Sequence, residues 1–382
     1  MKIKSIRTRV VKNPLPRAEL GGLSWHVDLA STIVEITAED GTVGIGESTM
    51  SRGPEQEEVM AKGILLLYAP LLEGYDVDDI EAISHRMWLY GRTMGFIGPM
   101  SAIDQALWDL KGKRYGHSVA DMLGGRVREQ VNAYACSALK KSIEEHVDDV
   151  KYYVELGFKA AKLSIGRGID EDIRLIRETT SAVDGKLKIA VDANGYYQNT
   201  MDADKIAAVC DECDIFWLEE PLPVTNVAGL ARLNRDFRTP ISGFQSETSV
   251  YRMTEYLEKD ALEIYQPRLD YCGGISHSKR VSVLCDANHK RFIPHAFGSG
   301  VKFAGTLQVI ASAISGGWIE FPVLKHEGGP RSYHAAAYLK DNRIFDVNET
   351  GQVTIPNKPG TGAELDKDAL KDLQVAEYEH TF

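Results

Sequence analysis

The stretch KLKIAVDAN, Lys186–Asn194, is a short aliphatic run that ends on a carboxylate, and DIFWLEEP, Asp214–Pro221, repeats that design with Glu219 in the place of Asp192. An uninterrupted apolar run of this length reads as a strand buried on both faces, the pattern of a parallel sheet. Working outward, the same reading applies to VNAYACS, AAKLSI, PISGF, ALEIYQP, RFIPHAFG and WIEFP, with amphipathic helical stretches between them. Strands alternating with helices over this length predict a (β/α)-type barrel. A polar residue closes most of the strands: Ser164, Asp192, Glu219, Glu247, Arg268, His295 and Glu320, at intervals of 21 to 28 residues. That interval holds one strand, one helix and two short loops, so these residues occupy equivalent places in successive units. The C-terminal strand ends of such a barrel converge on one mouth, where chemistry takes place.

The residues on either side of the barrel read differently. Residues 2–12, 27–38 and 42–48 are β-branched runs, the last two joined by a Glu-Asp-Gly turn that signals a hairpin. SAIDQALWDLKGKRYG follows as a helix, with Ser101 as its expected N-cap, Ile103, Leu107 and Leu110 on one face, and a stop at Gly116. The expected organisation is an α+β capping domain over residues 1–125, a barrel over 126–340 and a C-terminal segment, 341–382, that packs back on the cap.

The whole chain of 382 residues carries 55 acidic against 44 basic side chains, a net charge of −11. This balance disfavours nucleic acid and anionic membranes as partners. It leaves room for a small anionic ligand, because a metal ion or local Lys/Arg side chains reverse the field inside a pocket. No apolar run has the length of a membrane span and no apolar segment follows the basic N-terminus, which predicts a cytoplasmic protein. The five cysteines are odd in number and scattered, as reduced thiols are, and the Cys210–Cys213 pair is expected to pack a helix.

Asp192, Glu219 and Glu247 come from three consecutive strand ends and form an all-oxygen set suited to one Mg²⁺ ion per subunit. His295, at a later strand end, is placed to move a proton near neutral pH. Glu320 is expected to orient a substrate carboxylate.

Taken together, SAIDQALWDLKGKRYGHSVADMLGG, VDAN, WLEEP, QPRLDYCGG and IPHAFGSG resemble, in order and spacing, the enolase superfamily and its mandelate racemase-like subgroup. The resemblance covers nearly the whole chain. It implies an α/β fold, a modified TIM barrel of the (β/α)7β kind with an N-terminal α+β cap. It also implies Mg²⁺ on Asp192, Glu219 and Glu247, and abstraction of the proton α to a carboxylate. Two departures stand out. The family's second strand usually ends Lys-x-Lys, and here Lys162 and Ser164 leave the second base missing. Where the sixth strand usually offers an aspartate to the histidine, Arg268 stands, and Asp270 follows on the same strand face. Either Asp270 orients His295, or Arg268 lowers the histidine pKa or binds a second substrate anion.

Racemisation needs a base on each face of the substrate, whereas syn dehydration can use one histidine twice. The leading expectation is therefore an acid-sugar dehydratase, acting on an aldonic or aldaric acid or its lactone. Lys162 and Glu320 would steady the carboxylate, with Ser164 and Asn194 beside it. Trp25 and His26, with Tyr90 and Arg92 from the cap, would read the distal hydroxyls. A lactone cycloisomerase or epimerase is the alternative, and a binding or regulatory relative without catalysis is the alternative of another class. A homo-oligomer is expected from the resemblance.

Overall fold

The computed structural model describes residues 1–12, 30–49, 53–136, 142–323, 329–331 and 337–382. Trp25 and His26 lie outside the described residues. Strands β1 (Ile3–Lys12), β2 (Ala30–Ala38) and β3 (Val43–Ser48) pair antiparallel in chain order. The turn between β2 and β3 is the expected hairpin, closed by Gly41 at φ 87°, a conformation that glycine adopts without a Cβ penalty. Helices α1 (Pro54–Gly63), α2 (Ile80–Gly91), α3 (Gly98–Tyr115) and the short α4 (Val119–Met122) follow.

Helix α3 lies directly on β3. A Cβ on Gly44 would come within 2.1 Å of the Ala106 carbonyl oxygen, and one on Gly46 within 2.0 Å of that of Ala102. The two glycines share one strand face, and that face is bare backbone because the helix needs the space. Replacing Gly46 by alanine is expected to destabilise the protein by ~1–3 kcal/mol, the usual cost of overpacking. A urea midpoint equal to wild type would contradict this account of the contact.

The start of α3 differs from expectation. Ile97 takes the capping position and Pro99 lies in the first turn, where its fixed φ and missing N–H favour a helix start. Ser101 therefore sits inside the helix. Its hydroxyl donates to the Ile97 carbonyl (3.2 Å) and accepts from the Gly273 N–H (3.0 Å). The stop is as expected, with Gly116 left-handed at φ 71°.

All eight expected barrel strands form. They are β4 (Gln130–Cys136), β5 (Ala160–Ser164), β6 (Lys188–Asp192), β7 (Leu218–Glu219), β8 (Ile241–Gly243), β9 (Ile264–Tyr265), β10 (Arg291–Phe292) and β11 (Trp318–Pro322). They run parallel in the order β10-β9-β8-β7-β6-β5-β4-β11, and a bridge between Phe292 and Gly316 draws the two ends together. Between them lie α5 (Ile143–Glu155), α6 (Ile169–Val183), α7 (Thr200–Glu212), α8 (Val227–Asp236), α9 (Met253–Glu258), α10 (Gly274–Ala287) and α11 (Gly300–Ala311). Tyr134, Ala160, Ala190, Trp217, Ile264 and Ile293 form a core cluster of their own, while the larger apolar core sits between strands and helices. This is the packed interior of a barrel rather than a pore.

The C-terminal residues add β12 (Gln352–Thr354), which pairs antiparallel with β4, then α12 (Lys367–Leu373) and β13 (Gln374–Thr381), which pairs with β1. Cap and barrel are stitched by polar groups. Asp104 of α3 accepts from the Ser276 N–H (2.9 Å) and hydroxyl (2.5 Å) at the start of α10, and Trp108 donates to the same hydroxyl (2.8 Å). Glu47 of β3 accepts from the Lys302 N–H (2.9 Å) and the Tyr338 hydroxyl (2.5 Å). The five cysteines are free, with Cys210 buried in α7, and no helix among the described residues is long and apolar enough to cross a membrane.

Candidate active site

Strand register decides which side chains meet at the barrel mouth. Ser164 pairs with Asp192, Asp192 with Glu219, and Glu219 with Ser242. One pleat back on β5, Lys162 extends its ammonium between three carboxylates: Glu219 Oε1 at 2.9 Å, Glu320 Oε1 at 3.1 Å and Asp192 Oδ2 at 3.2 Å. The lysine side chain is only 3 % exposed. Burial works against its charge, but Glu219, Glu320 and Asp192 overcome it and raise its pKa well above that of an ordinary lysine. An ammonium has three N–H donors, and three carboxylates take them. Lys162 is thus an internal cation, where the sequence reading had it holding a substrate carboxylate.

Glu219 and Asp192 are equally committed. The second oxygen of Glu219 accepts from Gln266 Nε2 (2.8 Å) and Trp217 Nε1 (3.1 Å). Oδ1 of Asp192 accepts from the Asn194 N–H (2.9 Å), and the Asn194 side chain is exposed. Burial raises both carboxyl pKa values against the pull of Lys162.

Glu247 does not join them. It accepts from the Tyr256 hydroxyl (2.9 Å) and faces Arg252 Nε (3.4 Å). The reason is that β8 ends at Gly243 and the next residue, Phe244, is fully buried against Tyr256 and Tyr265 with φ 82°. Glu247 lies beyond this turn, outside the register of the strand ends. The structure therefore does not bring Glu247 together with Asp192 and Glu219, and no group of three His, Cys, Asp or Glu side chains among the described residues is arranged to hold a metal ion.

His295 follows β10, where it bridges to Arg268 through the backbone. Its Nε2 lies 3.5 Å from Glu320 Oε2, which also accepts the Ala296 N–H at 3.1 Å. The Nδ1 atom is buried and, among the described residues, has no hydrogen-bond partner. Burial, aided by the charges of Arg268, Lys162 and Lys302 and opposed by Glu320, lowers the His295 pKa to about 3. The imidazole is neutral at neutral pH, as the Arg268 alternative anticipated. Glu320 on the Nε2 side favours the tautomer that leaves the Nδ1 lone pair free.

Asp270 is not the partner of His295. It is held by Arg268, with Nε to Oδ1 at 3.2 Å and Nη2 to Oδ2 at 2.9 Å, and by Lys302 Nζ at 3.3 Å. The fork of Arg268 matches a carboxylate two residues on, and that pairing takes the aspartate away from the imidazole. Arg268 also stacks on Tyr271, 3.8 Å from the ring centroid. Tyr90 and Arg92 are exposed on the cap, Tyr90 with its ring edge-on to Tyr68.

Lys302, Gln266, Trp217 and Phe244 escaped the sequence reading. Lys302 carried a signal, since it is the one charged residue in the largely apolar GVKFAGTLQVIA of α11. Gln266 carried a weaker one, a polar side chain at a strand end beside proline.

A parallel barrel under an α+β cap, with ionisable side chains gathered from successive strand ends, is the architecture of a barrel enzyme class with its site at the mouth. The chain belongs to the enolase superfamily, in its mandelate racemase-like subgroup. The family described as enolase C-terminal domain-like matches residues 145–369, and the mandelate racemase/muconate lactonizing enzyme N-terminal domain matches residues 13–124. The chain is 32 % identical to D-galactarolactone cycloisomerase of Agrobacterium fabrum, over 98 % of this chain and 99 % of that one. It is 30 % identical to arabinonate dehydratase of Saccharolobus solfataricus, over 94 % and 96 %. A racemase from Streptomyces coelicolor, solved with bound magnesium, superposes with a TM-score of 0.85 at 25 % identity, covering 98 % of this chain and 100 % of its own. The residues here do not fit the ion that relative contains: two committed carboxylates and a lysine stand where a hard divalent ion needs free oxygen ligands.

Proposed function

We propose that the chain acts on an acid sugar, abstracting the proton α to the carboxyl group and expelling the β-hydroxyl, to give a 2-keto-3-deoxy acid. The observation that supports this most is the neutral, buried imidazole of His295, with Nδ1 unpartnered among the described residues and Glu320 on its other side. Ser164 offers no second base on the opposite strand, so proton transfer falls to one residue. His295 takes the α-proton through Nδ1, and the imidazolium then returns that proton to the departing β-oxygen on the same face. The C–H and C–O bonds break, water leaves, and the enol formed between the two carbons ketonises. Glu320 steadies the imidazolium, and Arg268, partly exposed at the mouth, supplies a guanidinium to an anionic group of the substrate. The relatives named as an arabinonate dehydratase and a D-galactarolactone cycloisomerase support the substrate class.

A second reading, a lactone cycloisomerase, is favoured by the commitment of Glu219 and Asp192 to protein donors. An uncharged lactone carbonyl places less negative charge in the transition state than a carboxylate, and fixed donors can stabilise it.

Incubating acid sugars and their lactones with the protein in D₂O separates the two. The expected result is a 2-keto product. Deuterium at the α-carbon, or ring opening, without a keto product would establish the isomerase instead. Neither, across the library, would overturn both readings.

A further inference from the structure

We propose that the ammonium of Lys162 is the fixed cation of this barrel mouth, and that the site works without a divalent metal ion. Four observations converge. Lys162 Nζ lies within 3.2 Å of carboxylates from β6, β7 and β11. Glu219 spends one oxygen on that ammonium and the other on Gln266 and Trp217. Asp192 spends its oxygens on Lys162 and the Asn194 N–H. At the end of β8, the next strand in the series, the chain places Phe244, whose ring packs 5.3 Å from Tyr256 and 5.7 Å from Tyr265 between centroids. The nearest polar side chains there are engaged too: Gln245 donates to Glu220 at 3.2 Å, and Glu247 is bound to Tyr256.

A hard divalent ion of the magnesium kind requires near-octahedral oxygen ligation at about 2.1 Å. To provide it, this site would have to expel the ammonium and break the Gln266 and Trp217 bonds to Glu219, with no carboxylate from the end of β8, where Phe244 stands. An ammonium already fills the role at longer, hydrogen-bonding distance. It also repels a second cation from the same three acids.

The consequence for binding is testable without any substrate, so the result stands whatever the exchange experiment gives. Purified protein is dialysed against EDTA and titrated with Mn²⁺, and free ion is followed by its electron paramagnetic resonance signal. The expected result is no saturable uptake by the wild type and no change in Tm on adding Mg²⁺. Lys162→Met is expected to gain both uptake and a Mg²⁺-dependent rise in Tm, because it releases the three buried carboxylates that share the ammonium. Uptake of one Mn²⁺ per wild-type chain, displaceable by Mg²⁺, would overturn the proposal, and that measurement alone decides it should the variant fail to fold.

Discussion

Lys162→Met is expected to cost the fold ~3–5 kcal/mol, the usual price of removing one partner of a buried ion pair, and to show it as a lower urea midpoint. The cause is the charge left behind. Asp192, Glu219 and Glu320 are each buried and share one ammonium, so its loss leaves three acids in a site that solvent does not reach. Methionine fills much of the volume of the lysine stem, which makes the change chiefly electrostatic. The deficit is expected to grow with pH. Burial already raises the pKa of Asp192 and of Glu219 in the folded protein, and removing the ammonium raises them further. A carboxyl whose folded pKa exceeds its unfolded one contributes its stability below the unfolded value and loses it as pH climbs through the folded value. Denaturation at pH 5 and pH 8 checks the sign. A variant with the wild-type midpoint at pH 8 would show that the acids have another source of neutralisation.

His295→Asn is expected to reduce α-proton exchange by ~10²–10⁴-fold, the range attributed to a positioned general base, with circular dichroism and Tm close to wild type. The wild-type rate is also expected to hold level between pH 5 and pH 8. A histidine at its ordinary pKa would lose base function on the acid side of about 6.5. Here burial and three neighbouring cations lower the folded pKa to about 3, so the free lone pair persists through that window. A rate that falls with a midpoint near the ordinary histidine value would place the proton transfer on another group. Unaltered exchange in the variant would remove His295 from the mechanism.

The two predictions rest on residues that the sequence exposed to different degrees. His295, Asp192, Glu219 and Glu320 were each legible as polar residues closing an apolar strand at a regular interval. Spacing along the chain maps directly onto position around a barrel, because each unit adds one strand in fixed order. Ser164 in place of a lysine was legible in the same way. Glu247 was not, since its interval from Glu219 fits the series while the strand itself stops four residues earlier, at Gly243. A carboxylate at the right count but past a tight turn points elsewhere. The partner of His295 was likewise misplaced. Asp270 was expected on the strand face of Arg268, but it lies in the turn just after that residue, where the guanidinium captures it.

What the sequence by itself determined is the architecture and the roster. Alternating strand and helix periods specify the barrel, β-branched runs and a hairpin turn specify the cap, and the closing residue of each strand nominates the mouth. These are local patterns, carried by side-chain period and by turn chemistry. What only the tertiary structure decided is which charges meet. Lys162 reaches acids that are 30, 57 and 158 residues away in sequence, and no local pattern records that its ammonium is shared among them. The balance of buried charge at the mouth depends on distances between strands, and those exist only once the barrel has closed.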